Sequence, residues 1–239
     1  MSQDFGYCWR TVRLYCPAAP TFLAREWVQA AWKQLLAARR WGFMRAEIAL
    51  PVLAGDTAII LPPDFASFKV VVDQVRQVRL PFTTTIEELL TADPALSATG
   101  APNALVATSP SPDPLTLGQA RYRLYPAPAS PVTLTAVYHR QGGRLTDADA
   151  FAGVLADGAE VLVAGALAQA ALWPGTGEKP SPYFNAGLAQ TKTAEFKYGV
   201  QMLSLRDDEQ YPDDLWDSWP ETCHTAVGAD PRATDACAC

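Results

Sequence analysis

No apolar run in this chain is long enough to cross a bilayer. The longest uncharged one, Val161 to Trp173, falls short of a span and contains Gly165 and Gln169. The opening residues, Met1-Ser-Gln-Asp-Phe, lack the basic-then-apolar order of a signal peptide, so none is expected. Histidine is scarce. His139 and His224 have no neighbouring Ser, Cys or carboxylate in a nucleophile pattern, and His139 reads as a surface residue at a strand end. The five cysteines are odd in number and confined to the two ends, which argues against a disulfide framework. Cys223, His224, Cys237 and Cys239 lack the two spaced ligand pairs of a zinc site. Gly142-Gly143 and Gly175-Thr-Gly177 complete no phosphate-binding pattern, and the second reads as a turn between helices. A Lys/Arg stripe of the kind that binds specific nucleic acid sites is also missing. These absences leave no expected catalytic residue, cofactor or metal.

What is present is apolar material: 49% of the 239 residues are hydrophobic and 18% charged, enough for one substantial core or two modest ones. The net charge of −6 is unevenly placed. From Asp207 to the end, nine acidic residues stand against Arg232 alone, while the rest of the chain carries 18 basic and 16 acidic side chains. The acidity therefore belongs to the C-terminal segment. The pairs Glu87-Glu88, Asp207-Asp208 and Asp213-Asp214 offer carboxylates for acid–base or metal chemistry. Their sequence context reads instead as a solvated helix face and an acidic tail.

Residues 7–16 alternate in their second half and read as a short strand, which Pro17 and Pro20 end. From Thr21 to about Arg40, Ala24, Val28, Ala31, Leu35 and Ala38 recur at helical spacing, with Trp27, Trp32 and Leu36 widening the stripe. Trp27, Trp32 and Trp41 read as core residues. From Met44 to about Gly142, prolines and short alternating runs mark an antiparallel β region. The candidate strands are 45–50, 57–61, 68–75, 104–108, 120–125 and 132–139, with a short helix at 84–91 capped by Thr84 or Thr85. A second helical block follows. Its first helix is capped by Asp157, runs through Leu172 and is rich in Ala and Gly. The next runs from about Pro182 to Leu205, with Leu188 or Ala189, Phe196, Val200 and Leu203 on one side.

Helices that flank a β region in sequence must meet to bury their stripes. The expected fold class is α+β: a small antiparallel helical bundle with an inserted antiparallel β domain and an extended acidic C-terminal tail. The expected boundaries are an N-terminal strand or arm at 1–19, the bundle at 20–43 and 143–206, the β insertion at 44–142, and the tail at 207–239. Trp216 and Trp219 are the unusual feature of that tail, because an aromatic pair in an acidic segment has no core of its own.

Several short motifs occur in a recognisable order. Ala37-Ala-Arg-Arg-Trp41 precedes Ala46-Glu-Ile-Ala-Leu50, Gly55-Asp56 and Leu61-Pro-Pro-Asp-Phe65. Leu124-Tyr-Pro126, Leu134 to Tyr138, Leu145-Thr-Asp147 and the alanine-rich Val161 to Trp173 follow. In this order and spacing the chain, over roughly residues 7–205, resembles the head-to-tail adaptor (connector) proteins of tailed bacteriophages. The resemblance implies a structural virion protein in the neck region between portal and tail, assembled in the host cytoplasm. It also implies a ring, usually of twelve copies, that extends the DNA channel beneath the portal and receives a tail tube, nozzle or tail-fibre protein. Its contact with DNA would be non-specific proximity in the channel. Natural subunit contacts would be Arg25, Lys33, Arg39 and Arg40 on the first long helix, with Ala164, Gly165 and Ala168 on the small-residue helix. Portal binding would fall to Trp216, Trp219, Asp213, Asp214 and Asp217. The alternatives are another neck or tail-completion protein, or a small hydrolase using the acidic pairs.

Overall fold

The computed structural model describes residues 4–212 apart from 83, 152, 157, 177 and 178. In chain order the elements begin with α1 (Phe5–Tyr15), α2 (Thr21–Ala38) and a 3₁₀ turn (Gly42–Met44). Strands β1 (Arg45–Val52), β2 (Ala58–Ile60), β3 (Phe65–Asp73) and β4 (Val78–Arg79) follow, then α3 (Ile86–Ala92). Next come β5 (Thr99–Gly100), β6 (Ala104–Thr108), β7 (Arg121–Tyr125), β8 (Ala127–Pro128) and β9 (Val132–Arg140). A 3₁₀ turn (Gly153–Ala156), α4 (Ala159–Leu172), β10 (Gly175–Thr176), β11 (Lys179–Pro180) and α5 (Ala186–Gln210) complete the order. These elements form two units. Among the described residues, one comprises those up to Met44 together with those from Gly142 to Pro212, and the other is Arg45–Gln141.

In the helical unit, α4 is the central element, packing against α1, α2 and α5. Its small residues are what permit three neighbours. A Cβ on Gly165 would lie 2.7 Å from Phe196 of α5 and 2.8 Å from Ala31 of α2, so only glycine lets those helices approach this closely. The core joins Val28, Ala31 and Leu35 of α2 to Leu162 and Ala166 of α4, with Cys8 and Val12 of α1 and Phe196 and Leu203 of α5. Trp27, Trp32 and Trp41 are buried in it.

The expected strand at 7–16 is a helix. Asp4 caps it by accepting from the Tyr7 N–H at 2.5 Å, and Phe5, Cys8 and Val12 recur at helical spacing toward the core. The alternation that suggested a strand would have placed Leu14 beside Val12 in the core, whereas Leu14 is exposed. The last helix also departs from expectation. It starts at Ala186 behind an Asn185 cap and continues to Gln210, five residues beyond the expected end. Its buried positions are Ala189, Phe196, Leu203 and Asp207, while Leu188 faces outward. The proposed Asp157 cap lies outside the described residues; the N-cap position of α4 is Gly158, without a side-chain bond. The turn at 175–180 contains a two-stranded antiparallel pair, β10 with β11.

In the β unit, a four-stranded antiparallel sheet, β1-β9-β3-β4, faces a three-stranded antiparallel sheet, β2-β7-β6. Between them lies a core that includes Leu50, Leu61, Phe65, Phe68, Leu105, Leu124 and Leu134. Alternation along each strand supplies these residues to one face. One pair departs from the antiparallel rule, because β5 and β8 run parallel over two residues each. Thr85 and Glu88 form a reciprocal capping box at α3, so Glu88 serves a helix end rather than a merely solvated face. His139 is buried, not exposed. Its strand β9 lies between β1 and β3, and His139 is paired with Arg45 on one side and Ser67 on the other.

Candidate assembly surface

The motifs that ordered the sequence are joints in the structure. Arg39 and Trp41 close α2, and Trp41 donates its indole N–H to the Leu35 carbonyl at 2.8 Å. The chain then turns at Gly42, where a Cβ would come within 2.4 Å of Tyr211. Asp207 meets this corner from α5. Its carboxylate accepts from the Gly42 N–H at 2.6 Å and the Phe43 N–H at 3.3 Å, and it is 1% exposed. These are leading N–H groups of a 3₁₀ turn, which have no partner within the turn itself. Arg39 donates to both Asp208 oxygens, at 3.0 and 2.5 Å, and to the Ser204 carbonyl at 3.2 Å. Its guanidinium also lies over the Trp41 ring. The end of α5, from which the acidic segment departs, is thereby tied to the end of α2.

The acidic pair Asp207-Asp208 is thus divided in role. It was read as the start of the tail, but Asp207 is a buried anchor and Asp208 an ion-pair partner. The missed signal was periodicity, since Asp207 continues the row Ala189, Phe196, Leu203 along α5. A charged residue on a buried face is easily taken for the end of the helix.

A second joint forms where the chain returns to the helical unit. Buried Gln29 of α2 exchanges two hydrogen bonds with the Leu145 backbone, at 2.6 and 3.1 Å. Asp147 pairs with Arg25 and accepts the Trp9 indole N–H at 3.0 Å. Arg25 also lies over the Trp9 and Phe5 rings. In the β unit, Asp64 accepts from the Tyr138 hydroxyl at 3.2 Å, and Phe65 packs on Phe68, Tyr122 and Tyr138.

The expected contact residues therefore sit in different settings. Arg25 and Arg39 are engaged within the chain, while Lys33 is exposed on α2 and Arg40 is exposed just beyond its end. Gly165 and Ala168 are buried, and Ala164 is half-buried. Asp213, Asp214, Trp216, Asp217 and Trp219 lie outside the described residues. Among the described residues, no group of His, Cys, Asp and Glu is disposed to hold a metal, and no helix is long and apolar enough to cross a membrane. Cys8 is buried against α4, and desolvation, reinforced by the Asp4 charge, pushes its thiol up to about 12. Its thiolate is therefore withheld near neutral pH.

The residues placed most carefully in this chain hold elements together. Its polar motifs cap, brace and turn the chain, which is a structural role for each of them. The model of the SU10 adaptor protein family matches residues 9–216, and the chain belongs to that family, the head-to-tail adaptors (connectors) of tailed bacteriophages. It is a structural virion component of the neck that works with portal and tail proteins, and it is not an enzyme. Among curated proteins, none matches the chain.

Proposed function

We propose that the chain forms a ring of twelve copies beneath the portal after DNA packaging, extends the DNA channel, and presents a docking surface for the tail. In this reading the helical unit makes the ring, with Lys33 and Arg40 available at its surface. The β unit meets the next tail component. The C-terminal segment from Asp213 grips the portal, with Trp216 and Trp219 inserting and Asp213, Asp214 and Asp217 facing a basic groove.

The observation that carries this reading is the anchor at Asp207. It gives the acidic segment a fixed origin on the helical unit, so that binding energy gained by the tryptophans is transmitted to the bundle. The test is deletion of residues 213–239, which leaves α5 and its anchor intact. The truncated protein is expected to fold and to lose portal binding in a pull-down with purified portal. Trp216→Ala with Trp219→Ala is expected to weaken binding more than Asp213→Asn with Asp214→Asn. Undiminished portal binding by the truncated protein would exclude a portal grip by this segment.

A further inference from the structure

We propose that in the free protein the C-terminal segment, residues 213–239, lies across the outward face of the β1-β9-β3-β4 sheet of its own chain. Trp216 and Trp219 sit over the valines of that face, and the carboxylates of the segment meet the cations that border them. This contact precedes any partner and does not depend on the portal grip. Strand alternation sends Phe68, Val71, Leu134 and Ala136 inward, to the core between the two sheets. Val70 and Val72 of β3 and Val137 of β9 point the other way. A sheet face left to solvent exposes its side chains, yet these three are only 1%, 5% and 6% exposed. They form a cluster of their own, which no apolar side chain from another described element joins. His139, next on that face of β9, is buried as well. A face buried to this degree has a cover, and among the described residues no helix or loop supplies an apolar one.

The border of the face sets the chemistry of that cover. Arg45 is paired in register with His139, Arg79 with Val72, and Lys69 stands at the bulge beside Val70. None of these cations is free. The strand positions of the face supply one carboxylate, Glu47 opposite Val137, and it is exposed. The fitting cover therefore joins bulky apolar groups to several carboxylates. Residues 213–239 carry both, with Trp216 and Trp219 among six acidic residues and Arg232 as the lone basic one. The origin of the segment is also in the right place. Tyr211 packs against Gly42, and three residues further along the chain Arg45 opens β1 on this same face. From β1 across β9 to β3 is about 10 Å at the usual strand spacing. The seven residues from Pro212 to Trp219 extend up to about 23 Å. Tethering holds the segment at an effective concentration that a separate copy does not match at ordinary dilution, which favours its own chain.

The test is photo-crosslinking in the dilute full-length protein, without portal. Thr135→p-benzoylphenylalanine places the probe on this face, opposite Val72 in the register. Ala49→p-benzoylphenylalanine, exposed and opposite Thr135 on β1, takes over if circular dichroism shows that the first variant does not fold. Peptide mass mapping is expected to find the crosslinks in residues 213–239, on a band of monomer mass. Lys69→Glu with Arg79→Glu is expected to lower their yield at least about fivefold, and Trp216→Ser with Trp219→Ser to do the same. Crosslinks that stay within the sheet would overturn the docking, because the aliphatic stems of the cations would then be the cover. Crosslinks to residues 213–239 found only at dimer mass would overturn the assignment to the same chain. A yield that neither double variant lowers would overturn the roles given to the cations and the tryptophans. Portal binding is read separately by the truncation above, so either conclusion can fail without the other.

Discussion

Replacing Asp207 with Ala removes the acceptor for two backbone N–H groups, those of Gly42 and Phe43, inside a buried corner. Hydrogen bonds to a charged partner contribute about 1.5–3 kcal/mol each, and a buried donor left without a partner keeps its desolvation cost. The 3.3 Å bond is the weaker of the two, and Arg39 retains Asp208, so the expected loss is roughly 3 kcal/mol. For a domain of this size that corresponds to a fall in Tm of roughly 6–12 °C. The control is the next residue. Asp208→Ala breaks a pair whose carboxylate is 60% exposed, and screening limits that loss to about 0–1 kcal/mol. Asp207→Asn keeps an acceptor oxygen without the charge and is expected to fall between the two. Thermal unfolding followed by circular dichroism and calorimetry measures all three. If Asp207→Ala costs no more than Asp208→Ala, the anchor does not hold α5 to the α2 corner, and the case for a fixed origin of the acidic segment collapses with it.

Gly165→Val places side-chain atoms where Phe196 and Ala31 already stand, so overpacking is expected to cost about 1–3 kcal/mol in a denaturant midpoint measurement. Native-state alkylation of Cys8 at pH 8 is expected to run roughly a thousandfold slower than that of a free thiol, since desolvation raises its pKa to about 12; labelling at the free-thiol rate would contradict its burial. The Asp93 carboxyl is held below its ordinary range, first by the Ala98 N–H and then by the Tyr125 hydroxyl among others. A depressed folded-state pKa stabilises above the unfolded value of about 4 and ceases to do so as pH falls through the folded value. The Tm gap between wild type and Asp93→Asn should therefore be present at pH 6 and close on acidification below about pH 4. A gap that persists unchanged at pH 2 would assign the difference to something other than this ionisation.

Periodicity by itself determined the long helices and most strands. Ala24, Val28, Ala31 and Leu35 can share a face only in a helix, and β6 spans the short apolar run Ala104–Thr108, the bounds expected for it. The order of short motifs pointed to the family whose model matches residues 9–216. Tertiary structure decided the rest. Residues 7–16 read as a short strand because alternation and helical spacing overlap over so few positions, and only packing against α4 shows which one holds. Asp207 looked like the start of a tail because burial of a carboxylate depends on donors supplied from Gly42 and Phe43, more than 160 residues away. His139 looked exposed because sequence does not say which strand lies in the middle of a sheet. The outer row on α5 was legible as residues and illegible as a surface. Tyr198, Met202 and Leu205 could be placed on the outer side of α5 only once Phe196 and Leu203 were seen to occupy the opposite side.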